Sequence, residues 1–150
     1  MLAKGVVQAA NTDAVGSLTE AQLLGMSATD YMNDQQLAFF RERLLQLRAE
    51  IAANQSETVE HLKETEVAAD PADRATREEE QAIELRTRER ERNLLRKIDA
   101  ALVRIADGRY GYCDETGERI GLRRLLARPT ATLSVEAQER REQRERTYGG

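Results

Sequence analysis

Two helical patterns of nearly equal length meet at Asp70-Pro71-Ala72-Asp73-Arg74. Proline disfavours the helical conformation of the residue before it and suits the first position of a new helix. Asp73 then falls in the first turn of the second helix, where the helix dipole favours a negative charge. Spacing alone favours a well-capped turn here, and it leaves open a functional acidic tip.

The first helical pattern begins at Asn33, a residue type that caps helices, and Gln36 stands three residues on to complete the cap. Apolar residues then recur at alternating steps of three and four, as in the seam of a coiled coil. The apolar seam residues are Leu37, Phe40, Leu44, Leu47 and Ile51. Toward the turn the same positions become polar. This pattern predicts a helix that packs strongly only at the end remote from the turn.

The second pattern runs from about residue 74 to residue 106. Its predicted seam consists of Ile83, Thr87, Arg90, Leu94, Ile98, Ala101 and Ile105. Each half spans about 33 residues, or roughly 50 Å of helix. Equal lengths and one short turn predict an antiparallel coiled-coil hairpin.

The composition excludes several classes of protein. Aromatic residues make up 4% of the chain and charged residues 33%, and such proportions suit long solvated helices better than a large core. The net charge of −4 argues against a protein that mainly grips a phosphate backbone. No apolar stretch is long enough to span a membrane, and no signal peptide is recognisable. With its single cysteine, Cys113, the chain is predicted to be a cytoplasmic protein without an internal disulfide.

The pattern changes after Asp107-Gly108, which ends the second helix. Two short strands around a glycine-containing turn are predicted next, then a short helix at 123–127 and a last helix capped by Ser134. The predicted fold class is mainly α: a long antiparallel coiled-coil hairpin on a small zinc-finger-like globular region, which has a short β-hairpin plus helices, followed by a C-terminal helix. The predicted domains are an N-terminal segment at 1–32 that packs on or near the globular region, the hairpin at 33–107 with its tip at 68–75, the degenerate finger at 108–133 and the C-terminal helix at 134–150.

The finger (residues 108–133) and the start of the last helix have the spacing of a four-cysteine zinc site, C-x2-C-x17-C-x2-C. The four positions hold Cys113, Thr116, Ser134 and Ala137. One thiol, two hydroxyls and a methyl group do not hold Zn²⁺, and His61 is too distant in sequence to replace a ligand. We therefore expect no zinc, and we expect Cys113 to behave as a small buried hydrophobe. The residues predicted to pack the region instead are Tyr110, Tyr112, Ile120, Leu122, Leu125, Leu126, Leu133 and Val135.

Several blocks of the sequence together match the pattern of a known protein family. They are Tyr31-Met32-Asn33, Asp70-Pro71-Ala72-Asp73-Arg74-Ala75, Glu78-Glu79-Glu80, Leu85-Arg86-x-Arg88-x-Arg90-Glu91-Arg92, Gly111-Tyr112-Cys113, and Ile120-Gly121-Leu122-Arg123-Arg124-Leu125-x-Ala127-Arg128-Pro129-Thr130. With these blocks in order over about residues 31–146, the chain resembles the DksA/TraR family of bacterial RNA polymerase-binding regulators, and in particular its DksA-type members with a zinc-free finger.

The resemblance implies a transcription regulator that binds RNA polymerase without binding DNA. Its hairpin would enter the secondary channel and destabilise open promoter complexes, together with the alarmone ppGpp. By the same resemblance the tip residues near the polymerase active site are Asp70, Asp73 and Ala75. The residues that match the ppGpp site at the polymerase interface are Arg90, Leu94, Lys97 and Arg128. Asn93 and Gln138 stand where close relatives carry lysine, which implies a ppGpp response with weaker affinity.

Three other classes of function remain to be weighed. A structural coiled-coil adaptor that bridges proteins is the main alternative, since helical hairpins also serve that purpose. A hydrolase with Asp70 and Asp73 as paired acids is disfavoured, because an exposed tip offers no pocket. Direct DNA binding is disfavoured by the acidic balance. We therefore expect a monomeric protein that is not an enzyme and has no membrane partner.

Overall fold

The structure is a computed structural model that describes residues 18–65 and 71–148, with side chains described at 18–55 and 72–148. Five α-helices and a 3₁₀ helix at Ala28–Asp30 are present in these ranges. The α-helices are α1 (Glu20–Leu24), α2 (Asp34–Thr65), α3 (Pro71–Asp107), α4 (Leu122–Ala127) and α5 (Val135–Tyr148). The chain divides into two compact units, one of residues 1–44 and 100–150 and the other of residues 45–99. We call the second unit the hairpin unit and the first the globular unit.

The hairpin unit contains most of α2 and α3, and an ion pair of 3.2 Å between Arg48 Nε and Asp99 Oδ1 joins the two helices. Ile51 and Ile98 are buried, as the seam predicts. Ile83 is 54% exposed and Leu94 is 37% exposed, so the predicted seam is wrong at these two positions. The physical reason is that the intervening seam positions are polar, and isolated apolar residues among them find no apolar partner layer.

The helix ends follow the sequence signals closely. The Gln36 N–H donates to Asn33 Oδ1 at 2.9 Å, which confirms Asn33 as the cap of α2. At the other end of the hairpin, Gly108 has a φ of 77° directly after the last residue of α3, in the conformation that ends helices. The helix α3 begins at Pro71, which is earlier than the predicted start near Arg74, because proline is accommodated at the first helical position.

Aromatic side chains form the centre of the globular unit. The ring of Phe40 lies 5.2 Å from that of Phe39 and 5.5 Å from that of Tyr110. The Tyr110 hydroxyl donates to the Pro129 carbonyl at 2.8 Å, so its polar end is satisfied although the side chain is buried. Helix α1 packs on helix α4, and their buried residues are Leu23 and Leu125. This core holds the finger against the first turns of α2.

The predicted β-hairpin of the finger is wrong. Within the described residues its only strand-like pairing is one isolated antiparallel bridge between Tyr112 and Arg119. Glycines with φ values of 92°, 76° and 105° stand at 111, 117 and 121, and these left-handed conformations interrupt an extended backbone on both sides of the bridge. The predicted burial of Val135 is also wrong, since this residue is 46% exposed. Val135 is the first residue of α5 and lies on the side of that helix that faces solvent.

Arg104, near the end of α3, joins that helix to the finger. Its side chain is buried, and Nη2 lies 2.8 Å from Asp114 Oδ1 and 3.3 Å from the Tyr112 carbonyl oxygen. The Arg104 carbonyl also accepts the N–H groups of Arg109 and Tyr110. A buried charge is tolerated only where it is paired and hydrogen-bonded, as Arg104 is here.

Replacement of this guanidinium should be costly. We expect Arg104→Ala to lower the free energy of unfolding by about 2 kcal/mol, because it removes the ion pair of a buried guanidinium with the half-exposed Asp114 and leaves a carbonyl without its donor. The matched control is Arg109→Ala, since the Arg109–Asp107 pair of 3.0 Å is exposed, and exposed pairs are worth about 0–1 kcal/mol. Urea unfolding followed by circular dichroism measures both, and equal losses in the two variants would contradict this role of Arg104.

Candidate functional site

The acidic end of the hairpin unit is described from its second helix onward. Asp73 lies in the first turn of α3, and its side chain is exposed. Ala75 is exposed as well. Asp70, the other predicted tip carboxylate, lies outside the described residues. In the described part of the tip, therefore, a carboxylate stands in solvent at the start of a long helix.

Charge is segregated along α3. Residues 71–85 contain five acidic residues and two arginines, whereas residues 86–97 contain six basic residues and two glutamates. The acidic part begins at the turn, and the basic part follows about four helical turns later. The helix thus presents two surfaces of opposite sign to its surroundings.

Three of the predicted ppGpp residues share one face of this basic part. Arg90, Leu94 and Lys97 follow each other at steps of four and three, which places them side by side on a helix. All three are exposed, and Arg90 Nη2 lies 3.5 Å from Thr87 Oγ1. We call these three residues the basic face. An exposed guanidinium and an exposed ammonium on either side of an apolar side chain suit a polyanionic ligand.

The remaining residues of the predicted ppGpp site divide between the two units. Arg128 is an exposed residue of the globular unit, and its N–H caps α4 through the Arg124 carbonyl at 2.7 Å. Gln138 is in α5 and donates to Glu142 Oε2 at 2.9 Å. In the hairpin unit, Asn93 accepts a hydrogen bond from Arg96 through its side-chain oxygen. Both uncharged positions are thus engaged within their own helices.

The four positions with zinc-site spacing lie around the Cys113 thiol. Cys113 is buried, as predicted. Burial by itself raises the pKa of the thiol, but hydrogen bonds from the Thr116 hydroxyl and from the N–H groups of Ser134, Thr116 and Glu115 outweigh it and lower the pKa to about 6. The predicted burial is confirmed, and these donors in addition favour the thiolate form of the buried side chain.

The chemistry of these four side chains does not fit a zinc ion. Thr116 Oγ1 accepts the Glu118 N–H at 3.2 Å, and Ser134 Oγ accepts the Ala137 N–H at 3.2 Å as the cap of α5. Zinc requires thiolate, imidazole or carboxylate ligands, usually four of them in a structural site. Cys113 supplies one, and no group of three or more such side chains lies together in the part of the chain that the structure describes.

Sequence reasoning missed the role of Tyr31. Its hydroxyl donates to the Gly111 carbonyl at 2.7 Å and accepts the Gly121 N–H at 2.9 Å, so it joins both arms of the finger. In the sequence, the block Tyr31-Met32-Asn33 is indicated only by the family resemblance. A tyrosine just before a helix cap carries no periodic signal, and its partners are about 80 to 90 residues away in sequence.

Comparison with known proteins gives a consistent result. The family model for the N-terminal domain of the DnaK suppressor protein DksA matches residues 36–105, and that for the prokaryotic dksA/traR C4-type zinc finger matches residues 108–143. RNA polymerase-binding transcription factor DksA of Caulobacter vibrioides is 61% identical over 119 residues, which cover 79% of this chain and 84% of that protein. The protein of the same name from Escherichia coli K12 is 43% identical over 122 residues, or 81% of each chain.

A solved structure also resembles this chain. Transcription factor DksA2 from Pseudomonas aeruginosa superposes with a TM-score of 0.78 at 52% sequence identity, and the match covers 85% of this chain and 99% of that one. No helix within the described ranges is both long and apolar enough to cross a membrane. The shared helical hairpin, the two matching family models and the identity to full-length relatives place this chain in the DksA family of RNA polymerase-binding transcription factors.

Proposed function

We propose that this chain binds RNA polymerase through the secondary channel and destabilises open promoter complexes without contacting DNA. Its family membership supports polymerase binding, since the relatives are named for that property. The observation that carries the rest is the exposed carboxylate of Asp73 in the first turn of α3, at the turn between two long helices. An ionised carboxylate on such a support suits competition for basic or Mg²⁺-linked groups in a polymerase active site. Asp70 and Ala75 would complete this tip.

The charge segregation of α3 supports the same proposal. A helix that enters a channel toward a basic or metal-bearing centre needs its negative charge at the leading end. Residues 71–85 supply it, and the basic residues at 86–97 follow behind. An adaptor that merely bridges proteins needs no such polarity.

We further propose that ppGpp acts at the interface between polymerase and the basic face. Arg90 and Lys97 would supply positive charge to its phosphates, and Leu94 would supply apolar contact. The resemblance also assigns Arg128 to the ppGpp site. Arginine and lysine hydrogen bonds to phosphate are charge-assisted and strong. Asn93 and Gln138 supply no charge where close relatives are expected to carry lysine, so the affinity for ppGpp should be moderate.

The finger is proposed to fold without zinc. Its four candidate positions offer one thiol, and the two hydroxyls among them already accept backbone N–H groups. The Cys113 sulfur accepts hydrogen bonds from the Thr116 hydroxyl and from backbone N–H groups of Ser134, Thr116 and Glu115. A finger of this kind should remain folded when zinc is scarce.

The tip prediction uses Asp73→Asn, which removes the charge and keeps the shape. Transcription from a ribosomal RNA promoter with purified polymerase should lose most of its inhibition, while binding to polymerase changes less than about threefold, because an exposed tip residue contributes little to total affinity. Asp107→Asn is the control, an exposed aspartate at the opposite end of α3. Full inhibition by Asp73→Asn would refute the tip role, and failure of the unaltered protein to bind polymerase would refute the function as a whole.

The ppGpp prediction compares loss and gain of charge. Lys97→Ala should weaken ppGpp binding to the polymerase complex about fivefold to tenfold, since one charge-assisted hydrogen bond is worth about 1–1.5 kcal/mol. Asn93→Lys combined with Gln138→Lys should strengthen it by a similar factor. Arg92→Ala is the control, because Arg92 is exposed on a different face of α3. Equal weakening by Arg92→Ala and Lys97→Ala would count against a specific site.

The finger prediction concerns pH. The pKa of Cys113 is lowered from 9.0 to about 6 in the folded protein, so the thiolate stabilises the fold at pH 9 and this stabilisation disappears as the pH falls through 6. The difference in unfolding free energy between the unaltered protein and Cys113→Ala should therefore shrink by on the order of a few kcal/mol from pH 9 to pH 5. Denaturant unfolding at several pH values measures it. A difference that stays constant over this range would show that Cys113 remains a neutral thiol.

A further inference from the structure

The hydroxyl of Tyr31 is shared between the two arms of the finger. Gly111 stands just before the Tyr112–Arg119 bridge, and Gly121 stands just after it on the opposite arm. The Tyr31 hydroxyl donates to the Gly111 carbonyl and accepts the Gly121 N–H, at 2.7 and 2.9 Å. One side chain from outside the finger therefore links the two arms of the finger next to their single bridge.

Arg119 of the finger covers the Tyr31 ring from above. Its guanidinium carbon lies 4.8 Å from the ring centroid, and Nη1 donates to the Ala28 carbonyl at 3.0 Å. The Tyr112 ring meets the Tyr31 ring edge-on at 5.6 Å. Burial raises the pKa of Tyr31 above its ordinary value, so the hydroxyl keeps the proton that it donates. Residues of the bridge itself thus enclose the tyrosine.

The backbone conformation of Met32 determines how closely residues 31–32 approach the finger. Its φ is 55°, a left-handed conformation that is uncommon for a residue with a side chain. The buried Gln36 side chain accepts the Met32 N–H at 2.9 Å and so holds this conformation. The Met32 side chain lies so close to Gly111 that a Cβ there would come within 2.7 Å of Met32 Cγ. A strained backbone held by a buried side chain indicates a geometry that the surrounding structure imposes.

We propose that residues 27–33 form an N-terminal clasp that fixes the two arms of the finger to each other, with Tyr31 as its positioning residue. The contacts are divided in a definite way. Hydrogen bonds to the Cys113 sulfur tie the 113–116 loop to the start of α5, and the clasp ties the two arms to each other.

The test removes the clasp hydroxyl in two backgrounds. Tyr31→Phe keeps the ring and loses both hydrogen bonds. It is introduced into the native chain and into a chain with Thr116→Cys, Ser134→Cys and Ala137→Cys, which restores the four-cysteine spacing. Thermal unfolding is measured with zinc and with a chelator. Tyr148→Phe is the matched control, since Tyr148 is 84% exposed.

In the native chain we expect Tyr31→Phe to lower the unfolding midpoint by about 5 °C in either condition. In the zinc-loaded four-cysteine chain the same change should lower the midpoint by a similar amount, because a metal at positions 113, 116, 134 and 137 would join the 113–116 loop to α5 and would not reach the second arm. A loss in the zinc-loaded chain that is less than half the loss in the native chain would show that the metal fixes the arms, and it would overturn the clasp as a separate device. A midpoint of the unaltered protein that falls with chelator would instead refute the zinc-free finger, so the two failures are distinguishable.

A second measurement needs no restored metal site. Cys113 and Ile120 donate their N–H groups to Glu118 and Gly111, in hydrogen bonds that Tyr31 does not make. If the clasp holds the arms together, Tyr31→Phe should accelerate hydrogen exchange of these two amides at least tenfold, in addition to that of Gly121. Acceleration at Gly121 alone would show a local hydrogen bond and overturn the clasp.

Discussion

The hydroxyl of Tyr31 joins two backbone segments that are ten residues apart and otherwise paired through a single bridge. The neighbouring features of the globular unit build on this junction. Arg119 and Tyr112 close around the ring, and Met32 takes a left-handed conformation to pass Gly111. The buried guanidinium of Arg104 pairs with Asp114 and ties the end of α3 to the finger. The finger thus reaches a defined conformation through directed polar contacts in addition to its apolar core.

The hairpin unit depends on a different constraint, which is the distribution of charge along one helix. Among its described side chains, at 45–55 and 72–99, the buried apolar ones are Ile51 and Ile98, and most of the exposed ones are charged. Such a helix has little core of its own, so the order of its charges is free to serve recognition. The acidic first part and the basic second part of α3 suit a factor whose leading end meets a basic or metal-bearing centre. Membership of the DksA family gives this arrangement its context.

Sequence reasoning succeeded where local rules decide the structure. Asn33, Ser134 and Gly108 mark helix ends through hydrogen bonds and backbone conformations within a few residues, and all three are confirmed. Sequence reasoning failed where the structure depends on contacts between residues that are distant in sequence. The alternation at 109–122 suggested strands, but three left-handed glycines restrict the pairing to one bridge. The donors around the Cys113 thiol and the partners of Tyr31 come together only in the folded chain, so no spacing rule reveals them. The tip and the basic face remain predictions of role, because exposure alone does not show what a surface binds.

The central claim is that protein contacts, rather than a metal, hold the finger in its conformation. The most direct measurement is native mass spectrometry of the protein purified from zinc-replete cells without chelator, combined with its thermal midpoint before and after chelator is added. The account predicts the mass of the polypeptide alone and a midpoint that does not change. One zinc ion per chain, together with a midpoint that falls on chelation, would contradict it.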